Sequence, residues 1–592
     1  MLRGTHLTFL LAAIAPVFAV DTLVDLGYAK YAGAIHEPGV SKWLGMRYAA
    51  PPLGDLRFSA PQNPLNVSGI QNATQNGPIC FPQKPTDWTV TGGLASGRYT
   101  TSEDCLYVSV FGPTGAKIDS NLPVMLFIQG GGFTSLSSAN WDPSEIVREE
   151  NVIVVQFNYR VGPYGFLQSE EVRAKGSLNN GIKDMMKALE WVQGNIVKFG
   201  GNPKQVVLNG VSAGGGGVGL LMAANLKNPP FVGGISESGG WVTMRTMDLG
   251  KEQYDCLVKE KKCGNTTDTL TCLRALPSRD VMTADCWFNP GIDGELYKDS
   301  MVNLFKQGTY SKVPTIWGAC ANEGTKYSAP QSTDSVEEAY KYLKNSDPTL
   351  SNSSLAILDK VYISKNDTVF PKSGRKWRQT ANAIADIGNS CIAKNIQDYI
   401  SRDGVPTYNY KYGVLDPADE AAGFGAWHTV ETYAVWGPNR TDGGPPASYK
   451  TSNAPIIPIV RKYWGSFIRT LNPSTNRASG ADEWKPYTGD ATRERLFIQT
   501  NNTKMEFMSP AQSLRCQIVQ PMTENLGKPP KKGTVTEFDL TLVSRYDGTS
   551  DSTSKSRRSK IARRQTSYDL HWNRVNKCSN RVKDTEHQAS PF

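Results

Sequence analysis

VVLNGVSAGG, at residues 206–215, is the stretch of sequence that decides the fold. Its first residues are β-branched and apolar, which predicts a buried strand, and the glycines that follow predict a tight turn into a helix. Gly210, Ser212 and Gly214 form the pattern Gly-x-Ser-x-Gly, whose small residues let neighbouring chain segments approach while the serine hydroxyl stands clear. A phosphate-binding loop is the alternative, but the stretch lacks the Lys-Ser/Thr ending of that motif. The pattern and its context predict a nucleophile at Ser212.

Two more apolar runs, VMLFIQ at 124–129 and VIVVQFNY at 152–159, predict strands that are covered by helices on both faces. A crossover helix is predicted before residue 206, because four apolar residues recur there at helical spacing: Met185, Leu189, Val192 and Ile196. Strand-like and helical segments alternate from about residue 20 to 520. The sequence therefore predicts one α/β domain over residues 20–525, with a mostly parallel central sheet and helices on both faces.

The histidines of the chain restrict the choice of a catalytic base. A serine hydroxyl is nearly inert at neutral pH and needs such a base, which is normally a histidine. Of the five histidines, three lie in the terminal segments: His6, His571 and His587. Of the other two, His36 precedes Ser212 and His428 follows it. Because the order nucleophile, acid, base requires a late histidine, His428 is the predicted base.

A carboxylate between Ser212 and His428 must fix the imidazole tautomer and stabilise the imidazolium. Glu323 follows the strand-like VPTIWGA at 313–319, a position where an α/β sheet presents functional side chains. Three other acids satisfy the same order: Asp293, Glu295 and Asp299. Position after a strand end does not decide among the four, so the residues alone leave the acid open.

A glycine-rich turn at 129–133, QGGGF, predicts the donors that would stabilise a developing oxyanion. It follows a buried strand, and only glycine allows the backbone there to turn its amides into a pocket. The predicted donors are the backbone amides of Gly131, Gly132 and Ala213. A flexible loop is the alternative, but two glycine-rich turns after buried strands, one of them carrying Ser212, favour a site.

The first 19 residues predict a signal peptide and therefore a secreted, extracellular protein. They combine Arg3, the apolar run LTFLLAAIAPVFA, and small residues at a cleavage-like site. A membrane anchor is the alternative, but the run falls well short of the roughly 20 residues that a bilayer requires. Seven Asn-x-Ser/Thr sequons predict N-glycosylation in the secretory route: Asn66, Asn72, Asn265, Asn352, Asn366, Asn439 and Asn501.

The net charge of +9 is concentrated at the carboxyl end of the chain. Residues 551–592 contain ten Lys or Arg and four Asp or Glu, which gives that segment a charge of +6. We therefore expect residues 526–592 to be a basic, disordered tail. The nearly neutral body does not favour a nucleic-acid partner, and no apolar segment after the leader predicts a membrane span.

With these motifs the sequence resembles the type-B carboxylesterase/lipase family, which contains cholinesterases and secreted fungal esterases and lipases. The resemblance spans about residues 28–515 and rests on motifs in family order: WLGMRYAAPPLGDLRF, EDCLYVSVF, QGGGF, NYRVGPYGFL, ALEWVQGNIVKFGGNP, GVSAGG, NEGT and GAWHTVE. It implies an α/β-hydrolase fold, a small-molecule or lipid ester substrate, no metal or organic cofactor, and Glu323 as the acid. It also supports two disulfides whose short spacings fit local loops: Cys80–Cys105 and Cys263–Cys272.

Three positions depart from the pattern of that family. Val211 stands where the family usually has Glu, and Gly217 where it commonly has Ser, so two polar groups near the nucleophile are missing. Gln129 replaces the usual aromatic residue or His, which should change the polarity of the pocket and keep the amide donors. Losses around a site can lower activity without abolishing it. We hypothesise a narrow or unusual range of esters.

Two other functions stay open at the level of sequence. A lipase generally carries an apolar lid, whereas the loop between Cys80 and Cys105 is mixed, which favours an esterase. The apolar residues of that loop are Trp88, Val90 and Leu94. A non-catalytic binding module of the cholinesterase-like kind typically lacks the nucleophile that this chain keeps. Phe133 and Trp241 are candidate aromatic residues of the pocket.

Overall fold

A computed structural model describes the chain from residue 22 to residue 528, with short gaps. The described residues are 22–84, 100–135, 141–224, 226–240, 242–366, 368–441, 443–489 and 493–528. The predicted signal peptide, most of the predicted tail, Trp241 and the loop residues Trp88, Val90 and Leu94 lie outside them. No helix in these ranges is both long and apolar enough to cross a membrane.

Sixteen strands occur in the described residues. Their bounds are β1 Leu23–Asp25, β2 Lys30–Ala32, β3 Ala34–Glu37, β4 Val40–Arg47, β5 Ile70–Asn72, β6 Ile79–Cys80, β7 Thr101–Ser102, β8 Tyr107–Pro113, β9 Leu122–Ile128, β10 Ile153–Phe157, β11 Gly201–Val211, β12 Gly233–Glu237, β13 Thr315–Cys320, β14 Thr407–Tyr412, β15 Glu494–Ile498 and β16 Lys504–Phe507.

Seventeen α-helices surround these strands in the same part of the chain. Their bounds are α1 Ser144–Glu150, α2 Gly162–Phe166, α3 Glu170–Lys175, α4 Asn180–Asn195, α5 Ala213–Ala223, α6 Met247–Glu260, α7 Thr269–Ala275, α8 Ser278–Met282, α9 Met301–Lys306, α10 Val336–Ser346, α11 Asn352–Leu358, α12 Trp377–Ala385, α13 Cys391–Arg402, α14 Pro417–Ala421, α15 Thr432–Val435, α16 Ile456–Thr470 and α17 Pro510–Glu524. Short 3₁₀ or π turns add Gly54–Leu56, Ile196–Phe199, Glu323–Thr325, Asp359–Ile363, Asp386–Ser390 and Ala447–Lys450.

Eleven of the strands form one large sheet, in the order β3-β4-β8-β10-β9-β11-β12-β13-β14-β15-β16. The seven strands from β10 to β15 in that order run parallel, and the flanking strands on both sides pair antiparallel. Two small sheets, β1-β2-β5 and β6-β7, lie apart from it. The predicted mostly parallel sheet is confirmed.

Alternate residues of the central strands enter two hydrophobic cores, one on each face of the sheet. Leu126 of β9 and Leu208 of β11 belong to the first core, which also receives residues of α4 and α13. Their neighbours Phe127 and Val207 belong to the second, together with residues of α1 and α16. Successive side chains of a strand point to opposite faces, so a run apolar at every position requires helices on both.

The predicted strands and crossover helix occur with small shifts at their ends. The runs at 124–129, 152–159 and 206–211 correspond to β9, β10 and β11, and β11 begins five residues earlier than expected. In the crossover helix α4, the first three of the four predicted apolar positions are buried, while Ile196 is buried in the following 3₁₀ turn. Helix α4 thus connects β10 to β11, as a crossover between parallel strands requires.

Four disulfides occur in the described residues. Cys80–Cys105 and Cys263–Cys272 are the two pairs expected from the sequence. Two others had no predicted pairing: Cys256–Cys286 and Cys391–Cys516. Cys320, at the end of β13, is a buried free thiol.

Candidate active site

Ser212 occupies a strained turn between β11 and α5. Its φ of 57° and ψ of −124° lie outside the regions that non-glycine residues usually adopt, as expected where a fold holds a serine in place for function. A β-carbon on Gly210 would come within 2.2 Å of the Gly214 carbonyl oxygen. A β-carbon on Gly214 would lie 2.0 Å from the carbonyl oxygen of Ile128. The glycines of Gly-x-Ser-x-Gly are therefore required by close backbone approach.

The structure brings Ser212, His428 and Glu323 into one chain of contacts. His428 Nε2 lies 2.8 Å from Ser212 Oγ, and Nδ1 of the same ring contacts Glu323 Oε2. Glu323 is fully buried, whereas the side chain of His428 is 18% exposed. An imidazole held between a hydroxyl and a buried carboxylate is the arrangement that serine acyl transfer requires.

Glu323 is positioned by a 3₁₀ turn, Glu323–Thr325, just beyond β13. The backbone N–H of Cys320 donates to Glu323 Oε1 at 2.6 Å, which leaves Oε2 for the histidine. On the histidine side, Gly425 has a φ of +61°, and a β-carbon there would lie 2.1 Å from Asn322 Oδ1. A tight loop without a side chain at residue 425 thus packs the segment before His428 against the segment before Glu323.

The alternative acids and the alternative histidine make other contacts. Asp293 accepts a hydrogen bond from Asn179 Nδ2 at 2.7 Å. Asp299 pairs with Lys528, and His36 lies 3.4 Å from Asp142. Glu295 donates its backbone N–H to Asp293. Neither His428 ring nitrogen contacts any of these acids.

The glycine turn after β9 lies directly against the serine turn. A β-carbon on Gly130 would come within 2.8 Å of the Val211 carbonyl oxygen and 3.0 Å of Ser212 Cβ. Gly131 and Gly132 both adopt positive φ, +96° and +63°. Within the described residues, their backbone N–H groups and that of Ala213 donate to no protein acceptor. These amides are therefore available to an oxyanion beside Ser212.

Two buried carboxyl groups next to the triad were not predicted from the sequence. Glu431, the last residue of GAWHTVE, accepts hydrogen bonds from Tyr410 Oη at 3.1 Å, from Cys320 Sγ at 2.8 Å and from Ser238 Oγ. Burial, and then the charge of Glu323, raises the pKa of Glu431. The feature of the sequence that could have indicated Glu431 is its position, three residues after the predicted base His428.

Glu237, at the end of β12, is the second unpredicted acid. It accepts a hydrogen bond from Trp464 Nε1 at 3.0 Å and another from Asn209 Nδ2. Burial, and then the charge of Glu431, raises the pKa of Glu237 to about 8. Its carbonyl oxygen also accepts the Ser212 N–H at 2.8 Å, so the residue holds the serine turn through its backbone.

The three residues that depart from the family pattern, Val211, Gly217 and Gln129, are buried. Val211 is buried in the second core, next to the strained serine. A β-carbon on Gly217 would meet Ile128 Cγ2 at 3.2 Å and Met185 Sδ at 3.3 Å, so an apolar and tightly packed environment replaces a polar one. Gln129 is fully buried, and its carbonyl oxygen accepts a hydrogen bond from Tyr159 Oη at 3.0 Å.

Tyr327 is the aromatic residue that contacts the candidate base. Its ring centroid lies 4.6 Å from that of His428, and its hydroxyl donates to Asn389 Oδ1 at 2.6 Å. Tyr327 is 44% exposed, whereas Phe133, the expected pocket residue, is 2% exposed and packs edge-on against Phe166. Tyr327 is therefore the more accessible aromatic of the two.

Two further groups of residues bear on function: a set of potential metal ligands and the predicted glycosylation sites. One group of potential metal ligands occurs in the described ranges, formed by Cys256, Glu260 and Cys286. The two cysteines are joined in a disulfide, so they offer no thiolate ligands.

The asparagines of all seven sequons are exposed: Asn66, Asn72, Asn265, Asn352, Asn366, Asn439 and Asn501.

Comparison with known proteins identifies the family of this chain. The sequence model of the carboxylesterase family matches residues 22–518. Secreted lipase 4 of Gibberella zeae is 30% identical over 505 residues, covering 79% of this chain and 86% of the lipase. Para-nitrobenzyl esterase of Bacillus subtilis is 30% identical over 508 residues, covering 81% of this chain and 95% of the esterase.

A solved structure shows the same fold. The crystal structure of Aspergillus niger EstA superposes with a TM-score of 0.79 at 34% identity, covering 86% of this chain and 99% of EstA. The matched range includes the serine turn, the glycine turn, Glu323 and His428. The chain therefore belongs to the carboxylesterase family and is a carboxylic ester hydrolase.

Proposed function

We propose that the chain hydrolyses esters through an acyl-enzyme formed on Ser212, with His428 as base and acid and Glu323 as the carboxylate that orients it. The observation that carries this proposal is the continuous contact from Glu323 through His428 to Ser212. The backbone amides of Gly131, Gly132 and Ala213 are the donors for the oxyanion.

The first half of the reaction transfers the acyl group to the enzyme. Ser212 Oγ attacks the ester carbonyl carbon while His428 Nε2 takes the hydroxyl proton. The Nδ1 proton stays on the ring of His428 and is donated in a hydrogen bond to Glu323, whose carboxylate stabilises the positive ring, and the amide donors stabilise the negative oxygen. The intermediate then collapses, the C–O bond to the alcohol breaks, and His428 returns its proton to the departing oxygen.

Water completes the reaction by the same route. His428 Nε2 takes a proton from water, whose oxygen attacks the acyl carbon, and the proton then passes to Ser212 Oγ as the acid leaves. The chemistry needs only groups of this chain and water, so we propose turnover without a metal or an organic cofactor.

The proposed cellular setting is the secretory route. Residues 1–19 have the pattern of a signal peptide, and the exposed sequon asparagines are accessible to glycosylation. One relative is named a secreted lipase and another an esterase, and we propose an esterase with a narrow range of substrates. The polar content of the loop between Cys80 and Cys105 supports esterase over lipase.

Hydrolysis of p-nitrophenyl esters of short, medium and long acyl chains tests the proposal. We expect turnover by the secreted protein, highest with short chains, and almost none by Ser212→Ala. A preference for long chains above their solubility limit would instead indicate a lipase. Rapid turnover of every ester in the panel would contradict the narrow range. Turnover that survives Ser212→Ala would contradict the proposed nucleophile.

A further inference from the structure

The ring of Tyr327 packs against the imidazole of His428, the proposed base. The two ring centroids lie 4.6 Å apart, and the ring planes are inclined by 53°. Tyr327 lies four residues after Glu323, so one loop beyond β13 makes two contacts with the imidazole. Glu323 contacts Nδ1, and Tyr327 contacts the ring.

The hydroxyl of Tyr327 is directed into the protein, although 44% of this residue is exposed. It donates a hydrogen bond to Asn389 Oδ1 at 2.6 Å. Asn389 is 2% exposed, and its Nδ2 donates to the carbonyl oxygen of Ser238 at 2.8 Å. The side chain of Asn389 thus accepts at one atom and donates at the other, which the amide of asparagine allows.

Ser238 leads back to the nucleophile. It follows Glu237, whose carbonyl oxygen accepts the Ser212 N–H at 2.8 Å. A closed circuit of contacts therefore runs through Ser212, His428, Tyr327, Asn389, Ser238 and Glu237. This circuit restrains the base by a route that does not pass through Glu323.

The turn Asp386–Ser390, which carries Asn389, is fixed by its surroundings. It is a π turn between α12 and α13, a rare geometry that frequently occurs at functional sites. Cys391, two residues after Asn389, is joined by a disulfide to Cys516 of α17. Asn389 therefore offers the Tyr327 hydroxyl an acceptor at a constrained position.

Catalysis requires the imidazole of His428 to keep a defined orientation. Its Nε2 must face Ser212 Oγ while it takes the proton and must then face the departing alcohol oxygen. The torsion between Cβ and the ring has a broad energy profile, and a hydrogen bond at Nδ1 fixes only one ring atom. A second contact with the ring limits the rotation that remains.

We propose that Tyr327 and Asn389 are positioning residues for the base. Asn389 holds the hydroxyl of Tyr327, and the ring of Tyr327 limits rotation of the His428 imidazole. This inference rests on the proposed acyl transfer through Ser212 and adds a restraint on its base.

Steady-state hydrolysis of p-nitrophenyl acetate tests the role of Tyr327. Tyr327→Ala should lower kcat by about 10²-fold and change KM by less than about threefold, because the imidazole is misaligned. Tyr327→Phe keeps the ring, so the loss of one hydrogen bond should lower kcat only about fivefold. A raised KM with the parent kcat in Tyr327→Ala would overturn the proposal and indicate substrate binding.

Tyr463→Phe on α16 is the matched control. The hydroxyl of Tyr463 also makes a 2.6 Å hydrogen bond, to the carbonyl oxygen of Asp482, and its ring packs on Trp484. This variant loses the same group from the same kind of residue and should keep the parent kcat. A fall in kcat equal to that of Tyr327→Phe would overturn the proposal.

A double-mutant cycle tests the connection through Asn389. Asn389→Leu removes both hydrogen bonds of the amide, so adding Tyr327→Phe in this background should change kcat by less than about twofold. A fall of about fivefold on Tyr327→Phe in both backgrounds would show that the hydroxyl acts without Asn389 and would overturn its role. Tyr327→Ala tests the ring independently should Asn389→Leu fail to fold.

Proton NMR measures the restraint without ester hydrolysis. The Nδ1–H of His428, donated to a buried carboxylate, should give a downfield signal that is absent from His428→Ala. We expect this signal to broaden in Tyr327→Ala, because a freer imidazole exchanges its proton with water. An equally narrow signal in Tyr327→Ala and the parent would overturn the proposal. Failure of the parent to show hydrolysis that depends on Ser212 would instead contradict the acyl transfer.

Discussion

Three buried carboxyl groups are concentrated around the candidate base, and they differ in their hydrogen-bond partners. Glu323 contacts His428 directly, while Glu431 and Glu237 lie behind it and have raised pKa values. With a pKa of about 8, Glu237 is mostly protonated at neutral pH. A neutral Glu237 adds a hydrogen-bonding group beside the site without adding a negative charge.

The raised pKa of Glu237 predicts how this residue makes the free energy of unfolding depend on pH. The pKa of Glu237 rises from an ordinary 4.5 to about 8 on folding, so its contribution to stability is present below pH 4.5 and is lost as pH rises to 8. Glu237→Gln cannot ionise and should gain stability relative to the parent protein across that window. Urea unfolding at pH 5, 6.5 and 8 measures the difference in the free energy of unfolding.

Glu420→Gln, an exposed substitution on α14, is the control for the effect of pH on unfolding. Its free energy of unfolding should follow the parent protein at all three pH values. A constant difference between Glu237→Gln and the parent from pH 5 to pH 8 would show that Glu237 is already ionised in the folded protein.

The assignment of Glu323 as the orienting acid predicts the effect of its substitution on catalysis. Glu323→Gln should lower kcat by roughly 10⁴-fold with a small effect on KM, because the wrong tautomer of His428 would be held. Asp299→Asn serves as the matched control, since Asp299 satisfies the same chain order but pairs with Lys528. A kcat for Glu323→Gln within tenfold of the parent would exclude Glu323 as the orienting acid.

At the scale of single elements, two alanine substitutions distinguish a role of the glycine turn after β9 in catalysis from simple backbone strain in a turn. Gly132 has a φ of +63°, and a β-carbon there would meet nothing closer than Thr134 Oγ1 at 3.6 Å. Gly54, in an exposed turn, has a φ of +58° and open space around the same position. Alanine should therefore cause similar backbone strain at both sites, about 1–2 kcal/mol.

Only one of these two alanine variants should affect catalysis. Gly132→Ala should lower kcat by about 10²–10³-fold, because a rotated peptide no longer directs its N–H at the oxyanion. Gly54→Ala should keep the parent kcat while losing a similar amount of stability. Steady-state kinetics and urea unfolding measure both quantities, and equal kcat for the two variants would exclude the turn from the oxyanion site.

Elements were predictable from the sequence where the signal is local. The apolar runs of β9, β10 and β11 and the spacing of α4 depend on neighbouring residues, so only their ends differed. Glu323 depends on a contact across about a hundred residues, and the order along the chain equally suited three other acids. Glu431 and Glu237 were missed because their surroundings come from β12, β13, β14 and α16, which only the folded sheet brings together.

At the scale of the whole molecule, the long disulfide Cys391–Cys516 connects α13 to α17 across 125 residues. Six cysteines had no pairing predicted, because sequence spacing carries no information on which distant segments become neighbours. The fold determines this pairing, because α13 and α17 pack together on the same face of the sheet.

Loop length predicts unequal effects of two disulfides. Replacing Cys391 and Cys516 by Ala should lower the free energy of unfolding by about 2 kcal/mol more than replacing Cys263 and Cys272, because the closed loops span 125 and 9 residues. Chemical unfolding of the two double variants under oxidising conditions measures the difference. A larger effect for the short loop would contradict this order.

The whole account depends on one serine carrying the acyl group. Treatment of the protein with a fluorophosphonate, followed by digestion and mass spectrometry, measures which residue is modified. The account predicts a single adduct, on Ser212, whose formation parallels the loss of p-nitrophenyl ester hydrolysis and does not occur in Ser212→Ala. An adduct on another residue, or hydrolysis that persists after complete modification of Ser212, would contradict it.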